Sequence, residues 1–210
     1  MDKLIISVAT TGSWTTRQQT PYVPITEEEI AEQAVQCWRE GAAIVHIHVR
    51  DEQGRPTCDP ARYARVRELI RARGCDLIIN MSTGGGAGQV PDEERIAPVR
   101  LRPEIASFDA GSLNFGERVF VNSPQFLEAL AQEMQAYGVK PEIECFESGF
   151  IENARRFIER GLFQPPYWFQ MVLGVRGGAP ATVDQLVHMV RQLPPNSLWS
   201  VCAIGRHQLP

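Results

Sequence analysis

The stretch A-I-V-H-I-H-V-R-D (residues 43–51) predicts a β-strand that carries two histidines on one of its faces. Side chains alternate across a strand, so Val45 and Ile47 share an apolar face while His46 and His48 share the opposite face. At a Cα spacing of about 6.5 Å, two such imidazoles can converge on one ion with Zn–N distances of about 2 Å. The alternative is a pair of core histidines satisfied by neighbouring groups.

Working outward, short apolar runs alternate with helical patterns along the whole chain, and glycine or proline bounds most of them. The predicted strands are residues 4–9, 43–49, 76–82, 105–109, 142–146, 168–173 and 198–204. The predicted helices are residues 26–40, 60–73, 93–100, 124–137, 149–160 and 183–192. Repeated βα units of this kind indicate a parallel sheet.

Polar and glycine-rich segments follow nearly every predicted strand, which favours a barrel over an open sheet. In an open sheet, ligand contacts concentrate at one switch point, whereas all βα loops of a barrel surround one mouth. We therefore expect an α/β fold of the TIM (β/α)₈ barrel type.

Seven predicted strands do not close an eight-stranded barrel, which typically needs about 250 residues. We expect a single TIM-barrel domain over residues 1–210 that is C-terminally incomplete, with about seven βα units and without the eighth strand and last helices. The alternative, a natural seven-stranded or open form, would leave strand edges unpaired.

The composition excludes several classes of protein. A chain of 210 residues with 43% apolar residues can bury a sizeable core. Its net charge of -4 argues against nucleic acid as a partner, and no apolar segment approaches the length of a membrane span. The five cysteines form no C-x-x-C pair and the N-terminus has no basic region. These two features predict reduced thiols in a cytoplasmic protein without a signal peptide.

The glycine-rich segment S-T-G-G-G-A-G (residues 82–88) follows the strand after the histidine strand. Its backbone N–H groups are unshielded by side chains and could form a nest for a carboxylate or a phosphate. It is neither a Walker A motif nor the dinucleotide fingerprint G-x-G-x-x-G. A flexible turn is the alternative interpretation.

Charged side chains follow later predicted strands. Glu142 and Glu144 alternate with Ile143, so both should point to one face, and a carboxylate inside a barrel is costly without a partner or a role. Arg206 and His207 follow the last predicted strand, where barrels often bind phosphate. Arg206 could hold an anion, and His207 could equally be a surface residue that caps a helix.

Taken together, the motifs resemble those of the β-keto acid cleavage enzyme family. They are A-T-T-G, G-A-x-x-x-H-x-H-x-R, S-T-G-G-G, A-G-S-L-N-F-G, P-E-x-E-x-F-E-S-G, V-L-G-V-x-G-G and A-I-G-R-H-Q-x-P, in this order. The resemblance implies a TIM barrel, a homotetramer and one divalent metal, usually zinc. It also implies a reaction of a β-keto acid with acetyl-CoA that gives acetoacetate and a new acyl-CoA.

The resemblance assigns roles to individual residues. It implies that His46 and His48 bind the metal, that Glu144 is the active-site glutamate, and that Asp109 is a polar active-site residue. It further implies a loop for the substrate carboxylate, formed by Ser82, Thr83 and Gly84. Arg206 and the glycine loops are candidates for the CoA phosphates. The family's third metal ligand, a glutamate in a G-x-E-D-N segment, has no counterpart in this chain, nor has the aspartate that follows it.

Trp14 stands where family members that act on amino-substituted keto acids carry a glutamate. A tryptophan offers an apolar face and one N–H donor, which suits a β-keto acid without an ammonium group; packing of the barrel mouth is the alternative. Two other functions remain open. One is an amidohydrolase-type metal hydrolase, although that family takes further histidines from strands five and six. The other is a non-catalytic remnant that binds a metal or an acyl-CoA.

Overall fold

A computed structural model describes residues 4–208 of the chain. These residues form two compact units, one that ends at Ala106 and one that begins at Ser107. The single domain expected over residues 1–210 stays a prediction, and residues 1–3 and 209–210 lie outside the described residues.

The first unit alternates strands and helices. Its elements are β1 (Ser7–Ala9), α1 (Glu27–Arg39), β2 (Ile44–Ile47), β3 (Val49–Arg50), β4 (Pro56–Thr57), α2 (Pro60–Ala72), β5 (Ile78–Met81), α3 (Asp92–Ile96), a 3₁₀ helix (Ala97–Leu101) and the start of β6 (Ile105–Asp109). Four strands pair in parallel in the order β1-β2-β5-β6. Strand β6 contains the boundary between the two units.

Local sequence signals set where the first helices begin. Thr26 and Glu29 form a capping box in front of α1, because the Glu29 N–H donates to Thr26 Oγ1 over 3.2 Å and the Thr26 N–H donates to Glu29 Oε2 over 3.0 Å. Pro60 occupies the first turn of α2, where its missing N–H costs nothing. Asp59 caps the same helix by accepting a hydrogen bond of 2.8 Å from the Ala61 N–H.

The core of the first unit lies between its parallel strands and the helices α1 and α2. Val45 and Ile47, the apolar face of the histidine strand, are fully buried there with Ile30 and Val66. Burial of each such side chain contributes roughly 1.5–3 kcal/mol relative to exposure. This packing fixes the face of β2 that His46 occupies, since alternate residues point away from the core.

The predicted strand over residues 43–49 is interrupted at His48. Strand β2 ends at Ile47, His48 belongs to neither strand, and Val49–Arg50 form β3, which pairs antiparallel with β4 outside the main sheet. The chain therefore turns away from the sheet at His48, and the two histidines sit on either side of a strand end.

The second unit continues from β6. Its further elements are β7 (Leu113–Phe115), β8 (Arg118–Phe120), α4 (Pro124–Tyr137), β9 (Lys140–Cys145), α5 (Ser148–Glu159), β10 (Tyr167–Leu173), α6 (Val183–Val190), β11 (Ser197–Ala203) and a 3₁₀ helix (Gly205–His207). The strand order is β6-β9-β10-β11, and β10 pairs in parallel with both of its neighbours. The predicted α/β fold class, in which parallel strands alternate with helices, is confirmed.

Close backbone packing explains one of the glycine motifs in the second unit. Gly177 has a φ of +99°, and a Cβ atom there would collide with the backbone carbonyl oxygen of Asn114 in β7. The neighbouring Arg176 carbonyl accepts a hydrogen bond of 2.9 Å from the Gly116 N–H, at the turn between β7 and β8. The loop after β10 is thus held against the β7–β8 hairpin.

Within residues 4–208, none of the helices combines the length and the apolar character that crossing a membrane requires.

Candidate active site

The two histidines of the opening stretch converge through their Nε2 atoms. These atoms lie 3.1 Å apart, and the ring centroids are separated by 5.0 Å. Two nitrogens bound to one tetrahedral zinc ion at 2.0–2.1 Å would be about 3.3 Å apart. The observed separation therefore fits joint coordination of one ion as well as it fits a direct hydrogen bond between the rings.

The outward nitrogens of both rings are anchored. The Asn80 amide lies 3.0 Å from His46 Nδ1, and Ser13 Oγ lies 3.1 Å from His48 Nδ1. Metal-binding histidines almost always use their second nitrogen in this way, which fixes the tautomer and the ring orientation. Half a turn of the Asn80 amide presents its oxygen to a protonated Nδ1, so both Nε2 lone pairs can face one ion. The residues present thus fit a divalent metal.

The electrostatic environment keeps the His48 ring neutral. Burial lowers the pKa of His48 well below its usual range, and the nearby His46 ring and Arg50 guanidinium lower this pKa further. A neutral imidazole is the form that binds metals. The environment of His48 therefore favours the form of the ring that a metal site needs.

Trp14 connects the loop after β1 to the glycine-rich segment. Its indole Nε1 donates a hydrogen bond of 3.3 Å to the Gly86 carbonyl oxygen. The preceding residue in the chain is Ser13, which contacts His48. Two consecutive residues of one loop thus touch the histidine pair and the glycine segment.

Three backbone carbonyl oxygens of the glycine segment accept hydrogen bonds from side chains outside the segment. The buried Tyr63 hydroxyl donates to the Ser82 carbonyl and Arg95 Nε donates to the Thr83 carbonyl, both over 2.8 Å, and Trp14 occupies the Gly86 carbonyl. Gly85 has a φ of +58°, and a Cβ atom there would lie 2.7 Å from Arg95 Cγ. Glycine is therefore required for both conformation and space.

The three residues of the predicted carboxylate loop differ in their exposure to solvent. Ser82 and Thr83 are 2% and 0% exposed, whereas Gly84 is half-buried. The Gly84 N–H donates to Ser82 Oγ over 3.1 Å. A hydroxyl can donate its hydrogen while its oxygen accepts a hydrogen bond, so Ser82 can still donate to a substrate.

The second unit contains a buried cluster of three carboxyl groups. Asp109 ends β6, and Glu142 and Glu144 lie on one face of β9, as their alternation with Ile143 predicts. Burial raises the pKa of Glu144 well above its usual range, and the charges and hydrogen bonds of Asp109 and Glu142 raise this pKa further. Trp168 Nε1 donates to Glu142 Oε1 over 3.0 Å. This environment therefore favours the protonated form of Glu144.

Arg206 lies on the surface of the second unit. It belongs to the 3₁₀ helix after β11, is exposed, and its Nε donates to His207 Nε2 over 3.3 Å. The His207 ring packs on the loop after β10, since a Cβ atom on Gly174 would lie 2.9 Å from its Cδ2.

Comparisons with known proteins agree with the motifs. A family model described as "beta-keto acid cleavage enzyme" matches residues 3–210. The chain is 43% identical over 209 residues to the 3-keto-5-aminohexanoate cleavage enzyme of Fusobacterium nucleatum, an alignment that covers 99% of this chain and 76% of that enzyme. It is 40% identical over 208 residues to the 3-oxoadipate:acetyl-CoA acetyltransferase of Cupriavidus necator, with 98% and 72% coverage.

The chain belongs to the β-keto acid cleavage enzyme family. The resemblance drawn from the motifs is thereby confirmed. So is the predicted enzyme class, because the two relatives are named as a cleavage enzyme and an acetyl-CoA acetyltransferase.

Among solved structures, the apo structure of ObcA matches this member of the β-keto acid cleavage enzyme family with a TM-score of 0.79. Sequence identity is 23%, and the match covers 90% of this chain. The chain spans about half of the ObcA chain, 52% of its length. This likeness shows a shared fold.

Several residues around the site were not predicted from the sequence of this β-keto acid cleavage family member. Asn80 carried a signal, since it is the polar residue of the buried strand I-I-N-M. Ser13 lies in a loop and Tyr63 on a helix, where a hydroxyl is common and indicates nothing by itself. Arg95 is fully buried on α3, which a charged residue in a D-E-E-R segment does not suggest.

Proposed function

We propose that this chain carries the metal-dependent chemistry of β-keto acid cleavage, in which a β-keto acid and acetyl-CoA give acetoacetate and an acyl-CoA. The observation that carries the proposal is the convergence of the His46 and His48 Nε2 atoms at 3.1 Å, with both outward nitrogens anchored. Membership of the family supports the same reaction.

The proposed reaction is an exchange of acyl groups. The bond between C2 and C3 of the keto acid breaks, and C2 forms a new bond to the acetyl carbonyl carbon. The CoA sulfur loses its acetyl group and takes the acyl group that ends at C3. Negative charge develops on oxygens next to the breaking bond, so the reaction needs preorganised positive groups there.

His46 and His48 would hold the divalent metal, and zinc is the ion that the donor set suits. When bound, the metal supplies a Lewis acid for the keto and carboxylate oxygens of the substrate. The protein's own contribution at this point is orientation: Ser13 and Asn80 keep the two Nε2 atoms aimed at a common point.

The glycine segment would bind the substrate carboxylate. Gly84 is the accessible residue of the predicted loop, and the Ser82 hydroxyl has a hydrogen to donate. The rigid support of the Ser82 and Thr83 carbonyls by Tyr63 and Arg95 keeps this edge in place. Thr83 itself would act through its backbone, because its side chain is fully buried.

Glu144 would move a proton during the reaction, since burial and the neighbouring carboxyls raise its pKa and favour its protonated form. We also propose that Asp109, which belongs to the same carboxyl cluster, contributes to substrate binding. Arg206, which is exposed, would bind the phosphates of acetyl-CoA. The homotetrameric state and the cytoplasmic location remain part of the proposal and rest on the family resemblance and on the cysteine pattern.

Trp14 supports a substrate without an ammonium group. Its N–H is already used by the Gly86 carbonyl, so the apolar face of the indole is what remains for a substrate. We therefore propose a β-keto acid with an uncharged or apolar acyl chain.

The test combines metal content with turnover. The chain and its His46→Ala, His48→Ala double variant are loaded with zinc, and bound metal is measured by elemental analysis. Acyl-CoA formation from acetyl-CoA and a series of β-keto acids is measured by mass spectrometry. The exposed His188 provides the matched control, His188→Ala. Loss of metal and product in the double variant alone is expected, and equal metal content in all three proteins would refute the proposal.

A further inference from the structure

Arg50 is a buried cation whose described acceptors are all backbone carbonyl oxygens. It is 3% exposed and follows His48 by two residues, in β3. One terminal nitrogen, Nη2, donates to the carbonyls of Gly12, at close contact, and Thr15, at 3.2 Å. The other, Nη1, donates to the Gly54 carbonyl over 3.0 Å.

The two carbonyls on Nη2 flank the residues that reach the site. Between Gly12 and Thr15 lie Ser13, which contacts His48 Nδ1, and Trp14, which donates to the Gly86 carbonyl. A loop fixed at both ends of a two-residue segment has little freedom to move the side chains between those ends. The guanidinium of Arg50 therefore contacts both ends of the segment that carries the two side chains.

An arginine suits this task better than any other residue. Its guanidinium is planar and carries five N–H donors in a fixed arrangement, so that one side chain can reach several carbonyls at once. A lysine ammonium donates from a single nitrogen, whereas two different nitrogens of Arg50 donate to these carbonyls. A buried charge is costly unless several acceptors surround it.

We propose that Arg50 is a positioning residue that holds the Gly12–Thr15 segment, and through it keeps Ser13 on His48 and Trp14 on Gly86. The inference rests on the proposed function in one respect, since it gives His48 the role of a metal ligand. It predicts that one side chain without contact to metal or substrate controls both metal affinity and the position of the indole.

The test uses 5-fluorotryptophan, which gives one ¹⁹F resonance for each of the four tryptophans. The Trp14 resonance is assigned by its loss in Trp14→Phe. In Arg50→Met we expect this resonance to shift or broaden while the other three stay in place. Zinc affinity, measured by competition with a chelator, should fall about 10- to 100-fold, the range found when the partner of a ligating histidine is lost. The zinc affinity of Arg50→Lys should lie between that of Arg50→Met and that of the native chain.

Two controls separate positioning from general damage. Arg65→Met removes an arginine of the same unit that is exposed and pairs with Glu28, and it should leave the spectrum and zinc affinity unchanged. Ser13→Ala should lower zinc affinity in the native chain but add little in the Arg50→Met chain, because the hydroxyl is already displaced there.

An unmoved Trp14 resonance in Arg50→Met, with zinc affinity equal to that of Arg65→Met, would overturn the inference. If the native chain binds no zinc, the proposed function fails, whereas the ¹⁹F spectra still decide whether Arg50 holds the loop. If Arg50→Met loses its far-ultraviolet circular dichroism, the Trp14 resonance and zinc affinity of Arg50→Lys are compared with those of Arg65→Met instead.

Discussion

Glu144→Gln should change how the stability of the chain depends on pH. Burial and the neighbouring Asp109 and Glu142 raise the pKa of Glu144 well above its ordinary value of 4.5. The folded chain therefore keeps a proton that the unfolded chain releases above that pH. Stability falls with rising pH wherever the folded state binds more protons. The fall should begin near the ordinary pKa and end at the raised one.

The expected slope follows from one proton. Each pH unit within this window costs the native chain about 1.4 kcal/mol of unfolding free energy. Glutamine has nearly the same shape as glutamic acid and does not titrate, and its amide N–H groups can donate to the neighbouring carboxyl oxygens. The stability of Glu144→Gln relative to the native chain should therefore rise by about 1.4 kcal/mol for each pH unit within the window.

Urea unfolding followed by circular dichroism at pH 5, 6 and 7 measures this difference. A chelator is included so that no bound cation neutralises the carboxyls. Glu147→Gln, at an exposed position three residues further on, is the control. Its unfolding free energy should change with pH in the same way as that of the native chain. The reasoning is refuted if the Glu144→Gln and native profiles are parallel, because Glu144 would then have the same pKa in the folded and unfolded chains.

Three other predictions concern the site in the first unit. Ser13→Ala should weaken zinc binding about 10-fold or more, since the hydroxyl orients His48; chelator competition measures it, and unchanged affinity would remove Ser13 from the site. Trp14→Glu should shift substrate preference towards an amino-substituted β-keto acid, and an unchanged ratio in a competition assay would show that Trp14 is not the selector. Gly85→Ala should lower the unfolding free energy by about 1–3 kcal/mol, because φ is +58° and the new methyl meets Arg95; an unchanged urea midpoint would contradict this.

Local signals in the sequence predicted the elements that depend on local interactions. The helix Pro124–Tyr137 and the strand Ile105–Asp109 were predicted at the bounds that the structure gives. The helix is bounded by local signals, since the Ser123 side chain accepts a hydrogen bond from the Phe126 N–H at its start and Gly138 adopts the left-handed conformation at its end. The alternation of strands and helices likewise predicted the α/β fold, and the H-x-H pattern predicted that two imidazoles share a face.

Tertiary structure alone decided how those imidazoles are held. The Ser13–His48 contact joins residues 35 positions apart, and the Trp14–Gly86 hydrogen bond joins residues 72 positions apart. The interruption of the strand at His48 depends on pairing between β3 and β4, which the pattern around the histidines does not contain. Such contacts form only when packing brings distant segments together, because a hydroxyl, an indole or a buried guanidinium has no local preference that identifies its partner.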